Sequence, residues 1–174
     1  MKTKNILLLF FSFTLLQSVK SQCKYFDTKY QTKSEKLLYK NGEETFTGNI
    51  KVNRIDTAYF FSLDYEFQKA KSGIEANIKS SEKLSFMLEN GDAITIKSTM
   101  EVKAEKDKKM GIYFCNLNNV KYSVTKNQIT KFIGSKVKSI KFFYTDSFGE
   151  ENSVMVEVKE KRQELVSDLI KCVL

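Results

Sequence analysis

The 174-residue sequence contains no histidine and no proline. Without histidine the chain lacks the commonest general base of enzymes and the commonest ligand of transition metals. A Ser-His-Asp triad, a Cys-His pair and a histidine-ligated zinc site are therefore excluded within this chain. Its 3 cysteines are too few for an all-cysteine zinc site, and neither common glycine-rich phosphate loop occurs. We therefore expect a protein that is not an enzyme, with no catalytic residue, no metal and no cofactor.

Acidic side chains offer the remaining routes to chemistry. Asp64 and Glu66 share one face of a predicted strand, and a retaining glycoside hydrolase needs two carboxyl groups about 5–5.5 Å apart. We expect these two side chains to form the solvated face of that strand, and we keep a carboxylate-based hydrolase as the weaker alternative. The segment 146–152 gathers oxygen ligands without the Asp-x-Asp spacing of a calcium-binding loop. It is predicted to be an acidic turn.

Residues 1–21 have the pattern of a secretory signal peptide. Two lysines precede an apolar run at 6–16, and a positive start followed by a short apolar core is typical of such leaders. The run is shorter than the roughly 20 residues that a membrane-spanning helix needs. Cleavage after Ser21 leaves residues 22–174 as a single β-rich domain without a transmembrane segment. We expect that domain to be secreted or periplasmic.

If the domain is exported, its cysteines are expected to form disulfides, because an oxidising compartment favours them. Cys23 and Cys172 lie near the two ends of the mature domain, and domain termini are often close together in space. Cys115 interrupts an apolar run and is typical of a buried free thiol. We therefore predict a disulfide between Cys23 and Cys172. A lipid anchor on Cys23 is the alternative, although Gln22 stands where a lipoprotein signal needs a small residue.

Apolar residues recur at every second position through much of the mature chain. The pattern is clearest at 57–68, and such alternation marks a half-buried strand of an antiparallel sheet. The side chains predicted to share its inner face are Tyr59, Phe61, Leu63, Tyr65 and Phe67. The segment 83–98 is predicted to be a hairpin with a type I′ turn at Asn90 and Gly91. The more polar segment 44–54 is predicted to be an edge strand or to cover a shallow part of the core, and 103–109 a polar hairpin loop.

Two helices complete the predicted fold. Thr125 and Gln128 form a capping box ahead of a short helix that Gly134 ends. The segment 160–173 carries an apolar stripe at helical spacing, and Cys172 lies on that face. These patterns predict a mainly β fold. We expect an antiparallel β-sandwich with a short internal helix and a C-terminal helix packed on one sheet. A curved sheet or barrel that grips the C-terminal helix is the alternative.

The order of these parts is itself informative. A cysteine follows the cleavage site, "LENGD" occupies 88–92, "IKFFYTD" occupies 140–146 and the closing helix contains "IKCV" at 170–173. With a composition rich in Lys, Asn, Ile and Phe, this arrangement resembles small secreted β-rich proteins of Bacteroidetes-type bacteria. The resemblance implies a β-rich fold and an exported location, and it implies no particular activity.

These observations favour an exported, non-catalytic binding or structural module of the cell envelope, with an unknown envelope or extracellular partner. The alternative is a carrier that holds a small apolar ligand in an aromatic-lined pocket. The candidate lining residues are Tyr59, Phe61, Tyr65 and Phe67. The net charge of +8 comes from dispersed lysines, and Phe142 and Tyr144 alternate onto the predicted core face. We therefore expect no nucleic acid as partner.

Overall fold

The computed structural model of the chain describes residues 23–26, 29–40, 44–69, 76–109 and 111–174. The predicted signal peptide lies outside these residues. The described part contains eleven strands and two α-helices. The strands are β1 (Cys23–Phe26), β2 (Lys29–Thr32), β3 (Glu35–Lys40), β4 (Glu44–Ile55), β5 (Ala58–Lys69), β6 (Lys83–Leu88), β7 (Ala93–Ser98), β8 (Glu105–Lys109), β9 (Ile112–Val124), β10 (Val137–Thr145) and β11 (Glu151–Glu157). The helices are α1 (Lys126–Phe132) and α2 (Leu165–Lys171), with a 3₁₀ turn at Glu160–Arg162.

All of these strands belong to one antiparallel sheet that does not close. Its order is β1-β2-β4-β5-β9-β7-β6-β10-β11, with β3 also paired to β4 and β8 to β9. The join between β9 and β7 is narrow, because Lys97 pairs with Ser123, Ser98 pairs with Tyr122, and no other pair links the two strands. The join divides the sheet into a large layer (β1 to β5, β8 and β9) and a small layer (β6, β7, β10 and β11).

The two layers pack face to face. The ring centroid of Phe142 on β10 lies 5.9 Å from that of Phe46 on β4 and 4.2 Å from that of Tyr65 on β5. Because β5, β9, β7 and β6 separate β4 from β10 along the sheet, these contacts require the sheet to fold over itself. The predicted mainly β, antiparallel fold with an internal and a C-terminal helix is confirmed. Its sandwich-like layers are two parts of one curved, open sheet.

The alternating pattern of β5 places its apolar row inside, as predicted. Each member of that row is at most 8% exposed: Tyr59, Phe61, Leu63, Tyr65 and Phe67. The opposite face of the strand is less solvated than predicted, since Ser62 is only 2% exposed. β4 and β9 flank β5 along most of its length, so outward side chains near the middle of β5 lose solvent contact as well.

The prediction that β4 lies at an edge or over a shallow part of the core is wrong. β4 pairs with β5 on one side and with β2 and β3 on the other, and Ile50 and Val52 are buried. Gly48 permits the close pairing with β3, because a Cβ atom there would lie 3.2 Å from the Cβ of Leu38. The polar residues of β4 alternate with the buried ones and cover the outer face of the large layer.

Two further local predictions need correction. The hairpin of β6 and β7 is present, but Gly91 has a positive φ of 89° and Asn90 does not, so the turn is not type I′. The backbone N–H of Leu88 donates to the carbonyl of Asp92 at 2.8 Å, and the loop between them has three residues. The segment predicted to be a polar loop contains β8, whose backbone pairs with β9 while its described side chains remain exposed.

Both predicted helices are present. The capping box of α1 is formed, with Thr125 Oγ1 accepting from the backbone N–H of Gln128 at 3.2 Å and Gln128 Oε1 accepting from the N–H of Thr125 at 2.9 Å. α2 is shorter than the predicted helix at 160–173, because Glu160–Arg162 form a separate 3₁₀ turn and the α-helix begins at Leu165. The buried residues of α2 include Leu165, Val166, Leu169 and Ile170, Val173 is buried just after the helix, and α2 packs against β4 and α1. No helix among the described residues has the length and apolar composition needed to cross a bilayer.

Candidate functional site

A groove of about 340 Å³ lies on the outer face of the large layer. Strands β2, β4, β5 and β9 contribute to it, and none of the described residues that line it is acidic. The lining residues that determine its charge, hydrogen bonding and apolar surface are Lys51, Asn53, Arg54, Phe60, Ser62 and Lys121. Their alternation with the buried residues of the same strands places most of these side chains away from the core. We call this feature the outer groove.

Strand register places a lysine on each side of Ser62 in the outer groove. Ser62 pairs with Lys51 of β4 and with Lys121 of β9. Directly opposed residues of antiparallel strands have Cβ atoms about 4.5–5.5 Å apart, so the two ammonium groups extend from one short row. Among the described residues, neither lysine forms an ion pair. Their positive charge is therefore available to an anionic ligand.

Ser62 supplies a hydrogen-bond donor at the floor of the groove. Its hydroxyl oxygen accepts a hydrogen bond from Asn53 Nδ2 at 2.8 Å. That bond uses a lone pair of the hydroxyl and leaves its O–H group as a donor. Asn53 itself pairs with Phe60 on β5, whose half-buried ring adds apolar surface two residues from Ser62 on the same face of the strand. The outer groove therefore combines two cations, a fixed hydroxyl and an aromatic wall.

Arg54 lies at one end of the outer groove and is already engaged. Its Nη1 donates to the backbone oxygens of Val173 at 3.2 Å and Leu174 at 2.8 Å. Its guanidinium also lies over the rings of Tyr30 and Tyr59, at 5.4 and 5.7 Å from their centroids. Arg54 therefore holds the segment after α2 beside β4 and shapes the groove.

The aromatic row proposed as a ligand pocket lies in the interior, against rings of other elements. The centroid of Phe61 is 5.8 Å from that of Phe86 and 5.3 Å from that of Phe132. Phe67 is 4.7 Å from Phe46, and the recess beside it measures about 20 Å³, which is space for about one water molecule. These rings therefore contribute packing between the two layers.

The two candidate carboxylates on β5 do not line the outer groove. Asp64 Oδ1 accepts a hydrogen bond of 2.7 Å from the backbone N–H of Asn119. Asn119 has a φ of 54° and lies in a bulge where the β5–β9 register shifts. Glu66 accepts a hydrogen bond of 2.8 Å from Gln68 Nε2. Asp64 thus stabilises the bulge that brings Asn119 to the rim of the groove.

The predicted acidic turn is present at 146–150, whereas Glu151 and Asn152 already belong to β11. One carboxylate oxygen of Asp146 accepts hydrogen bonds of 2.9 Å from the backbone N–H groups of Phe148 and Glu150. The other accepts from Asn152 Nδ2 at 2.9 Å. The side chain of Asp146 therefore organises its own turn. Within the described ranges, no cluster of three or more Cys, Asp or Glu side chains is arranged to hold a metal ion.

The cysteines differ in environment. Cys115 is a free, buried thiol, and burial raises its pKa against smaller opposing effects of a backbone hydrogen bond at Ala76 and of Lys106. Cys172 is buried and is not a free thiol. The side chain of Cys23 lies outside the described residues, so the pairing of Cys23 with Cys172 stays a prediction.

Sequence reasoning did not identify the outer groove. Lys51, Ser62 and Lys121 lie on three strands, and each reads as an ordinary solvent-facing residue of its own strand. Only the cross-strand register brings them together. Comparison with protein-family models, curated proteins and solved structures gives no match.

Proposed function

We propose that this chain is an exported, non-catalytic binding module of the cell envelope and that the outer groove is its ligand site. The observation that carries the proposal is the row of Lys51, Ser62 and Lys121, in which two ammonium groups without ion-pair partners among the described residues flank a buried hydroxyl. An anionic group placed between the lysines accepts a hydrogen bond from the hydroxyl of Ser62. An apolar portion of the same ligand contacts Phe60.

The size and charge of the outer groove set the class of ligand. Its volume of about 340 Å³ lies at the low end of the roughly 300–1,000 Å³ typical of small-molecule pockets. Each exposed charge pair contributes only about 0.2–1 kcal/mol, and the hydrogen bond between the Ser62 hydroxyl and a charged acceptor about 1.5–3 kcal/mol. The ligand is therefore a small carboxylate or related anion with one flat apolar part, bound weakly and in a salt-dependent manner.

A matched pair of probes tests this proposal. Benzoate and benzamide share a ring and differ in charge, so titration of each into the ¹⁵N-labelled protein separates charge recognition from ring contact. We expect benzoate to shift amide resonances of β4, β5 and β9 around Ser62, and benzamide to shift them far less. Lys51→Gln combined with Lys121→Gln should abolish the difference between the two probes.

The control is Lys83→Gln combined with Lys97→Gln. These two exposed lysines also oppose each other across neighbouring strands, β6 and β7, outside the groove. The control removes the same charge and should leave the benzoate shifts unchanged. Equal shifts with benzoate and benzamide, or benzoate shifts that survive loss of both groove lysines, would contradict the proposed ligand site.

The proposed location rests on the leader at 1–21 and on the cysteines. We propose that cleavage after Ser21 yields a secreted or periplasmic domain closed by a disulfide between Cys23 and Cys172, with a lipid anchor on Cys23 as the alternative. N-terminal sequencing of the exported protein should begin at Gln22, and non-reducing peptide mapping should recover Cys115 unlinked. A diacylglyceryl group on Cys23, or a crosslink to Cys115, would overturn these assignments.

A further inference from the structure

A second recess, of about 260 Å³, lies between β3 and the segment that follows β11. The described residues that line it are all different from those that line the outer groove. Four of its lining residues are cationic and one is aromatic: Lys36, Tyr39, Lys159, Lys161 and Arg162. We call these five residues and the recess they surround the basic cleft.

A bulge in β3 builds the floor of the basic cleft. The register between β3 and β4 shifts between Lys36 and Leu38, so consecutive residues Leu37 and Leu38 are both buried, at 3% and 1% exposure. A regular strand would direct one of the two outward. Here both leucines form an apolar floor, while Lys36 and Tyr39 on either side of them remain exposed.

The charge of the cleft is concentrated around one ring. The Nζ atoms of Lys36 and Lys159 lie 5.1 and 4.7 Å from the ring centroid of Tyr39, at cation–π distance. Tyr39 is 38% exposed, so the ring is also open to solvent. The basic cleft therefore holds two ammonium groups beside an accessible aromatic surface.

Most of this charge is not neutralised by the protein itself. Arg162 pairs with Glu35 at 3.3 Å. In the described part of the chain, Lys36, Lys159 and Lys161 form no ion pair. Lys136, by contrast, lies within 4.0 Å of acidic oxygens. Like charges gathered without partners repel each other, so an external polyanion gains from binding there.

We propose that the basic cleft binds an acidic polysaccharide, whose repeated carboxylate or sulfate groups contact the lysines while a sugar ring lies on Tyr39. Sugar rings present C–H faces that pack on aromatic and aliphatic surface. A nucleic acid would be expected to use several stacking rings, and Tyr39 is the single aromatic side chain among the described residues that line this cleft. A lipid surface is flat, whereas this site is a recess. The chemistry therefore favours a charged glycan.

Four polymers of similar length test the proposal on the purified protein by isothermal titration calorimetry: polygalacturonate, dextran sulfate, neutral dextran and a single-stranded oligonucleotide. We expect polygalacturonate or dextran sulfate to bind more tightly than the oligonucleotide, and neutral dextran not to bind. The affinity should fall as salt is added. Vesicles with 30% anionic lipid, a composition we choose for the test, form a fifth arm by co-sedimentation.

Variants locate the binding site. Lys36→Gln combined with Lys159→Gln should weaken binding of the acidic polysaccharide at least tenfold, whereas the charge-matched change of Lys83 and Lys97 to glutamine should not. Tyr39→Ala keeps every cation, so a loss of threefold or more shows that the sugar ring is recognised as well as its charge. Thermal melts of each variant separate loss of binding from loss of folding.

Each contrary result overturns the proposal in a specific way. Undiminished affinity in the Lys36 and Lys159 variant places the binding elsewhere. Undiminished affinity in Tyr39→Ala reduces the cleft to an unspecific cationic patch. Tighter binding of the oligonucleotide or of the vesicles replaces the polysaccharide with that other class of partner. The proposal for the outer groove is tested with other probes and other variants, so failure of one proposal can be told apart from failure of the other.

Discussion

Replacing Tyr122 or Tyr65 by phenylalanine should stabilise the protein. Both hydroxyl groups are buried, and neither has a hydrogen-bond partner of normal geometry among the described residues, although each hydroxyl affects the pKa of the other. A buried polar group without a partner costs about 1–3 kcal/mol. Phenylalanine keeps the ring in place and removes that cost. We expect a gain of about 1 kcal/mol in the free energy of unfolding for each single variant, which corresponds to about 2–4 °C in Tm.

Urea denaturation of both single variants and the double variant measures this effect. Tyr113→Phe is the control, because Tyr113 is less buried and its variant should change stability by less than about 0.5 kcal/mol. A mutual hydrogen bond between Tyr65 and Tyr122 would give the opposite pattern. Each single variant would then lose about 1 kcal/mol or more and the double variant would lose less than their sum. That pattern would refute the reasoning.

The same two residues predict how stability depends on pH. Burial raises the pKa of both phenols well above the usual value near 10. Above pH 10 the unfolded chain loses these protons while the folded protein retains them, so stability is fully present below that pH and falls as the pH rises further. The limiting slope is about 1.4 kcal/mol per pH unit for each tyrosine. Urea midpoints from pH 8 to 11 should show a shallower fall in the double phenylalanine variant than in the parent protein, and identical slopes would contradict the assignment.

Two further predictions concern single positions on the sheet. Lys83 and Lys97 oppose each other on β6 and β7, so Lys97→Glu should raise stability by about 0.2–1 kcal/mol at low salt and by less in 1 M NaCl; no gain at low salt would argue against this register. Gly48→Ala should lower the free energy of unfolding by about 1–3 kcal/mol, because its Cβ would lie 3.2 Å from the buried Leu38. Urea midpoints check both, and an alanine variant as stable as the parent would show that β3 yields easily.

Local patterns were the part of the fold that could be predicted from the sequence. The burial of the inner row of β5 could be predicted from strict alternation, since a strand with one apolar face can bury it in only one orientation. Thr125 and Gln128 specify the start of α1 within four residues of chain, so no distant partner is needed. Asn90 and Gly91 identified a turn, but the type depends on loop length, which the dipeptide alone does not determine.

The outer groove and the position of β4 depend on information that is not local. The sequence of β4 predicts an edge strand because its outer face is polar. In the structure, some of those polar residues line the outer groove. That Lys51 and Lys121 flank Ser62 can be predicted only when the register of three strands is known. The bulge at Asn119 shifts that register within β9, and sequence alternation gives no warning of an inserted residue.

The contacts of Arg54 with Val173 and Leu174 join positions 119 and 120 residues apart, and the ring contact of Phe46 with Phe142 also spans most of the domain. Pairings this distant cannot form while the nascent polypeptide is still emerging from the ribosome. The large layer is built mostly from the earlier strands. Its apolar face therefore stays exposed until β10 and α2 have been synthesised. A domain whose long-range contacts form last is therefore expected to fold slowly and to expose apolar surface to aggregation before those contacts form.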